Sequence, residues 1–157
     1  MILNGGIYVV KRSIEMRLFE EEDIKTVQEW FNDHEIQNRL EGMLPLMEWF
    51  NNIKENTQYF VWLTLECNQP VGIVMVEIEE DCTGSIALAV KPSLRNKGYG
   101  RLFIEKTMLL PDMQSIKRWY AGIEEDNVAC LKCFQSVGFT LQHTQPDKHG
   151  FYSLIHY

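Results

Sequence analysis

The chain has 157 residues, of which 45% are hydrophobic and 24% are charged, so it is long enough for one domain with a buried core and has an ordinary soluble composition. Its net charge of −7 argues against a protein that binds nucleic acid through clustered Lys and Arg. No apolar run approaches the length of a membrane span, and the N-terminus lacks the basic region and cleavage site of a signal peptide. We therefore expect a cytoplasmic protein with no nucleic-acid or membrane partner, folded as one domain over residues 1–157.

The predicted elements follow from hydrophobic periodicity and from the glycines and prolines that interrupt it. In chain order they are extended segments Ile7–Arg12 and Ile14–Phe19; helices over about 20–31, 33–40 and 46–56; strands Tyr59–Leu65, Val71–Glu79 and Ser85–Val90; a helix from Gly98 to Leu110; a strand Ile116–Glu124; a helix from Asp126 or Asn127 to Val137; and strands Phe139–Thr144 and Gly150–His156. Turns are predicted at Asn68–Pro70 and Asp81–Gly84. This order predicts an α+β domain with a mixed, mostly antiparallel sheet.

The cysteines raise the question of a metal or redox site. Cys130 and Cys133 have the C-x-x-C spacing, but they lie inside a predicted helix, where residues three apart simply share a face. A structural zinc site needs four ligands, and Cys67 and Cys82 are too far apart to supply a second pair. We expect reduced, partly buried thiols and no metal.

The segment Arg95-Asn-Lys-Gly-Tyr-Gly100 is glycine-rich and basic, and it lies between a strand that ends at Pro92 and the start of a helix. Glycine lets the backbone turn sharply and lets a ligand approach closely. Free N–H groups at a helix start converge on an anion, and Arg95 and Lys97 add local positive charge. The segment lacks the spacing of a Walker loop or of a dinucleotide fingerprint. It predicts a site for a diphosphate.

Three segments together resemble the GNAT superfamily of N-acetyltransferases. Ile86–Pro92 resembles the strand that splays away before the acetyl-CoA loop, and Arg95–Gly100 matches the family pattern [QR]-x-x-G-x-[GA]. Glu125–Phe139 resembles the family's last helix, and Arg17–Ile24 is similar to the start of the ribosomal-protein and aminoglycoside acetyltransferase branch. The resemblance implies a GNAT-like three-layer α/β/α domain and an N-acetyltransferase that uses acetyl-CoA as its co-substrate.

The resemblance also implies roles for particular residues. The backbone of Leu88, Ala89 and Val90 is expected to pair with the pantetheine arm, and one of its N–H groups to donate to the thioester carbonyl. The amides from Asn96 through Lys97, Gly98 and Tyr99 to Gly100 are expected to hold the pyrophosphate, next to Arg95. Asn127 is expected to bond near the pantetheine, and it also suits a helix N-cap.

Two positions depart from the family pattern. The family often has tyrosine seven residues after the asparagine, where its hydroxyl protonates the departing thiolate; here Phe134 keeps the packing against the cofactor but has no proton to give. Many relatives carry a general base on the strand before the loop, but Ser85–Val90 contains no carboxylate. Glu79 and Glu124 are alternatives, and we predict Glu77 as the base because hairpin pairing brings it closer to Ala87.

The predicted reaction is direct transfer of the acetyl group to an amine, without a covalent enzyme intermediate. The acceptor is open between a small molecule, such as an aminoglycoside or a polyamine, and a protein N-terminus. The aromatic residues Trp30, Phe31, Trp49 and Phe50 are expected to be mainly core, with some at the acceptor pocket. A domain that binds acyl-CoA with little or no catalysis is the alternative function, and a homodimer is one alternative for the assembly.

Overall fold

The computed structural model describes residues 12–157, so the strand predicted over Ile7–Arg12 lies almost wholly outside the described residues. The elements are β1 (Glu15–Leu18), α1 (Ile24–Trp30), α2 (His34–Arg39), α3 (Leu46–Ile53), β2 (Tyr59–Glu66), β3 (Gln69–Ile78), β4 (Thr83–Val90), α4 (Tyr99–Met108), β5 (Arg118–Glu124), α5 (Val128–Ser136), β6 (Thr140–Leu141) and β7 (Phe151–His156). The predicted order of helices and strands is confirmed over these residues. None of the helices in residues 12–157 is long and apolar enough to span a membrane.

Within residues 12–157 the strands form one seven-stranded sheet in the order β1-β2-β3-β4-β5-β7-β6. Neighbouring strands are antiparallel except for β4 and β5, which are parallel. A parallel pair needs a crossover connection, and α4 supplies it between β4 and β5. The predicted mixed, mostly antiparallel sheet is confirmed.

Helices cover both faces of the sheet, because alternate residues of the strands point to opposite sides. On one face, α1, α2 and α3 pack on the sheet through a cluster that includes Val27, Ile36, Leu46, Leu63 and Ile73. On the other face, α4 and α5 pack through a cluster that includes Val74, Phe103, Ile104, Phe134 and Leu154. The predicted three-layer α/β/α domain is confirmed.

The predicted aromatic residues of α1 and α3 are mainly core. Trp30 and the adjacent Phe31 are buried, and Trp49 and Phe50 are half-buried against the same cluster. They hold the first helical layer on the sheet.

Several element boundaries differ from the prediction for local reasons. The first hairpin turns on Cys67 and Asn68, both with positive φ, so Gln69 and Pro70 belong to β3 and not to the predicted turn. Pro70 is tolerated there because it lies where the register shifts at a bulge.

The bounds of β4 and β6 also differ from those predicted. Cys82 has φ of +63° and the Asp81 carboxylate accepts from the N–H of Thr83, so β4 begins at Thr83, inside the predicted turn. The strand predicted over Phe139–Thr144 is only two residues long, Thr140–Leu141.

Candidate functional site

The two parallel strands of the sheet separate in the middle of the molecule. β4 and β5 pair only from Thr83 to Ser85 with Arg118 to Tyr120, although β4 continues to Val90 and β5 to Glu124. A cleft of about 660 Å³ opens between the separated halves. Residues of α2, β4, the 95–100 loop, α4 and α5 line it.

The separated half of β4 presents free backbone groups to this cleft. Lys91 donates its N–H to Val71 of β3, and backbone groups alternate in direction along an antiparallel strand. Ala89 therefore directs its N–H and C=O towards β3, whereas Leu88 and Val90 direct theirs towards the cleft. An extended ligand can hydrogen-bond to Leu88 and Val90 as an added strand does.

The 95–100 loop turns the chain from β4 into the start of α4. Asn96 has φ of +59° and Gly98 has φ of +84°, a left-handed conformation that glycine adopts without strain. The first N–H groups of α4 have no acceptor within the helix, and they face the cleft beside Asn96, Gly98 and Gly100. The loop thus offers neutral N–H donors and a positive helix end to an anion.

Gly100 also allows α4 and α5 to approach each other. A Cβ atom at this position would lie 2.9 Å from the sulfur of Cys133, closer than atoms pack. The glycine is therefore needed for helix packing as well as for access to the loop.

The guanidinium of Arg95, predicted to add charge to the loop, is bonded to the carboxylate of Asp33. Nη1 donates to Oδ2 at 2.9 Å, and Nη2 donates to the other oxygen. Asp33 is the N-cap of α2 and also accepts from the N–H of Ile36. The hydrogen bond from Arg95, assisted by that of Ile36, lowers the pKa of Asp33 to about 2.

The C-terminal end of α2 forms ion pairs with residues on the β5 side of the cleft. Arg39 donates to the carboxylates of Glu35, Glu124 and Asp126, of which the last two lie at the end of β5 and before α5. Its hydrogen bond lowers the pKa of Asp126. Helix α2 therefore connects the β4 side of the cleft, through Asp33, with the β5 side, through Arg39.

Helix α5 forms the remaining wall. Asn127 caps it, since its side-chain oxygen accepts from the N–H of Cys130 at 3.3 Å, and its side also lines the cleft. Phe134 is buried and packs edge-on to Phe139, with ring centroids 5.0 Å apart. Asn127 and Phe134 both line the cleft.

The two cysteines of α5, Cys130 and Cys133, are partly buried and line the cleft. Burial raises the pKa of Cys130 to about 12 and also raises the pKa of Cys133, so both thiols are protonated at neutral pH and are poor nucleophiles. Within residues 12–157, no group of three or more His, Cys, Asp or Glu is arranged to hold a metal ion.

Lys97 and Tyr99 of the 95–100 loop both contact Arg12. Lys97 is exposed, and its carbonyl accepts from Arg12. The Tyr99 ring is buried, its hydroxyl donates to Glu66 at 2.7 Å, and the Arg12 guanidinium lies 4.6 Å from its centroid. Tyr99 lines the cleft while its hydroxyl is bonded to Glu66, whereas Lys97 is not among the lining residues.

Glu77 lies on the sheet face that carries α1–α3, beyond the part that those helices cover. It is exposed and stands opposite Tyr59 on β2 and Ser85 on β4. Ala87, which is also exposed, stands opposite Met75 on the same face. Glu77 is thus diagonal to Ala87, at about 7–8 Å by ordinary strand spacing, outside the cleft lining.

Asp33 and Arg39 were missed in the sequence analysis. Asp33 was recognisable only as the start of a helix, and Arg39 as one polar residue of that helix. Their partners are 62 to 87 residues away in the chain, so no local pattern indicates the contacts.

The sequence profile of the Acetyltransferase (GNAT) family matches residues 24–139 of this chain. The chain is 39% identical over 139 residues to an uncharacterised N-acetyltransferase, YfmK, of Bacillus subtilis (strain 168), and the match covers 88% of this chain and 93% of that protein.

Two solved structures have the same fold. Aminoglycoside acetyltransferase AAC(6')-Ib, in complex with coenzyme A, has a TM-score of 0.78 at 16% identity, covering 92% of this chain and 94% of its own. Spermidine N-acetyltransferase from Vibrio cholerae, with CoA and spermine, has a TM-score of 0.78 at 14% identity, covering 91% and 94%. At such identities the likeness concerns the fold alone.

Proposed function

We propose an active site for this chain on one premise: the chain belongs to the acetyltransferase (GNAT) family. It is an acetyl-CoA-dependent N-acetyltransferase, which moves an acetyl group from the thioester to an amine. The observation that carries the proposed site is the separation of β4 from β5 beyond Ser85 and Tyr120. It leaves one edge of β4 free beside a helix start rich in N–H donors.

Acetyl-CoA is proposed to lie in the cleft. Its pantetheine arm pairs with the backbone groups of Leu88 and Val90, with Ala89 between them and Asn127 on the opposite wall. Its pyrophosphate accepts from the amides between Asn96 and Gly100. An N–H of the Leu88–Val90 segment donates to the thioester carbonyl, where negative charge develops when the amine attacks.

The transfer is proposed to be direct. The amine nitrogen attacks the carbonyl carbon, an N–C bond forms, and the C–S bond breaks to release the thiolate of CoA. The raised pKa values of Cys130 and Cys133 favour this route, because a protonated thiol does not accept the acetyl group first. Thiol release that depends on an amine supports the proposal; hydrolysis unaffected by any amine contradicts it.

Glu77 is proposed as the general base that removes a proton from the ammonium group of the acceptor, so that the neutral amine can attack. Its diagonal position to Ala87 on the neighbouring strand supports this proposal, in which one water relays the proton from the amine to the carboxylate. Glu124 is nearer the cleft, but its carboxylate already accepts from Arg39. Glu77 has no such cation partner among residues 12–157.

The assignment of the base is tested with matched glutamine variants. We expect Glu77→Gln to lower kcat/KM by about 100-fold, at the lower end of general-base effects. Glu29→Gln makes the same charge change at an exposed position of α1, outside both the cleft and the proposed acceptor site, and is the control. A larger loss in Glu124→Gln than in Glu77→Gln rejects Glu77 and assigns the base to Glu124.

The acceptor is proposed to be a cationic small molecule and not a protein N-terminus. A second hollow, of about 610 Å³, lies beside the paired ends of β4 and β5, and its lining includes Glu79, Glu80, Asp81, Ser85, Arg118 and Tyr120. Carboxylates there favour an acceptor with a second positive charge. Turnover of spermidine, an aminoglycoside and a short peptide is compared; faster turnover of the peptide contradicts the proposal.

We also propose that residues 1–157 form a single acetyltransferase domain located in the cytoplasm, where acetyl-CoA is available. The match of the family profile to residues 24–139 supports the domain. Fractionation of cells that produce the tagged chain tests the location. Analytical ultracentrifugation of the purified chain tests whether the domain forms a homodimer.

A further inference from the structure

Two of the arginines that line the cofactor cleft form ion pairs with carboxylates. Among residues 12–157, four basic residues line the cleft: Arg39, Arg95, Arg101 and Lys132. Arg39 binds three carboxylates and Arg95 binds Asp33 through both terminal nitrogens. These two guanidinium groups are neutralised by their partners, so neither is free to attract an anionic ligand.

Arg101 and Lys132 are brought to the same stretch of wall by the close approach of α4 and α5. The contact between Gly100 and Cys133, where an added Cβ would lie 2.9 Å from the sulfur, is flanked by Arg101 on α4 and by Lys132 on α5. The positive charge of Arg101 acts on the Cys133 thiol, as expected if its guanidinium lies over this contact.

Both side chains are available. Arg101 donates from Nε to Glu105 at 3.0 Å, but this is a pair within one helix, with 56% and 43% of the side chains exposed, and such pairs are weak. Its terminal nitrogens have no hydrogen-bond partner among residues 12–157. Lys132 is exposed, and over the same described residues no carboxylate lies within 4.0 Å of its ammonium group.

The chemistry of coenzyme A divides its anionic groups into two kinds. The pyrophosphate is internal to the molecule and suits fixed, neutral N–H donors such as those of the 95–100 loop. The 3′-phosphate of the ribose is a terminal monoester, with nearly two negative charges at neutral pH because its second pKa is about 6. A group of that charge at the protein surface suits two flexible, exposed cations.

We infer that Arg101 and Lys132 together bind the 3′-phosphate of coenzyme A. This inference rests on the proposed placement of acetyl-CoA in the cleft. It assigns to α4 and α5 a role in discriminating between coenzyme A and its 3′-dephospho form, which differ in that phosphate alone.

The test is calorimetric binding of CoA and of 3′-dephospho-CoA to the full chain. We expect the wild type to bind 3′-dephospho-CoA at least about tenfold more weakly, and Lys132→Gln and Arg101→Gln each to weaken CoA binding by about fivefold, the upper range for exposed ion pairs. Neither substitution is expected to change the Kd for 3′-dephospho-CoA. Lys25→Gln, an equal charge change at an exposed position of α1, is expected to change neither Kd.

The outcomes are separable. Equal weakening of both ligands in Lys132→Gln overturns the inference and assigns the lysine to the pyrophosphate. Unchanged binding of both ligands in the two variants overturns it as well. A wild type that binds neither ligand contradicts the proposed cofactor site itself, whereas tight binding of both with equal Kd overturns the 3′-phosphate inference and leaves the proposed function intact.

Discussion

At the scale of the single residue, Phe134 occupies the position where the family resemblance predicts a proton donor for the leaving thiolate. Its side chain is 2% exposed and packs against Phe139, and it has no hydroxyl to protonate the departing thiolate. An ordinary thiol has a pKa of about 8.5, so a thiolate is a tolerable leaving group. Acetyl transfer can therefore proceed without an acid at this position, but more slowly.

We expect Phe134→Tyr to raise kcat by about tenfold, a modest share of what a positioned acid contributes, with the KM for acetyl-CoA unchanged. The family resemblance predicts that the cofactor sulfur lies beside position 134, where a tyrosine hydroxyl would protonate it. Steady-state kinetics measure the effect, and Phe134→Leu is the control without a hydroxyl. An unchanged or lower kcat in a folded tyrosine variant contradicts the proposed position of the sulfur.

At the scale of the element, α2 is only six residues long, and a helix of this length is not stable by itself in water. It is held by the burial of Ile36 in the core and by ion pairs at its two ends, Asp33 with Arg95 and Arg39 with Glu124 and Asp126. These pairs place the helix across the opening between the separated strands.

The pair between Asp33 and Arg95 makes stability depend on pH. The pKa of Asp33 is lowered to about 2 in the folded protein, against about 3.9 in an unfolded chain. The folded state therefore holds fewer protons between these values. The stabilisation is fully present above about pH 4 and is lost as the pH falls towards 2.

We expect Asp33→Asn to lower the free energy of unfolding at pH 7 by about 1 kcal/mol, a value reduced for the partial exposure of both side chains. Asparagine still caps α2 through its side-chain oxygen, so the loss reports the ion pair. Denaturant titrations across pH 7 to 2 measure it, with Asp33→Asn/Arg95→Gln completing a double-mutant cycle. A difference that stays constant as the pH falls contradicts the assignment.

At the scale of the whole molecule, the sequence predicts the order of the elements because periodicity, glycine and proline act locally. The resemblance located the 95–100 loop and Asn127, and the structure places both on one cleft. The ends of the strands were less predictable, as at Gln69 and Pro70, because cross-strand pairing extended β3 beyond the expected turn. The role of α2 was not predictable, since Arg39 and Glu124 are brought together only by the folded chain.

The free edge of β4 has a consequence for hydrogen exchange. In the unliganded protein the N–H of Ala89 is bonded to β3, whereas the N–H groups of Leu88 and Val90 face the cleft without a strand beside them. We expect fast exchange at Leu88 and Val90, slow exchange at Ala89, and slowing at the first two alone when CoA binds. Residue-resolved NMR exchange measures this alternation. Equal protection of all three amides without CoA contradicts this prediction. The expected pattern means that bound CoA acts as an additional strand beside β4 and slows the local opening of the sheet.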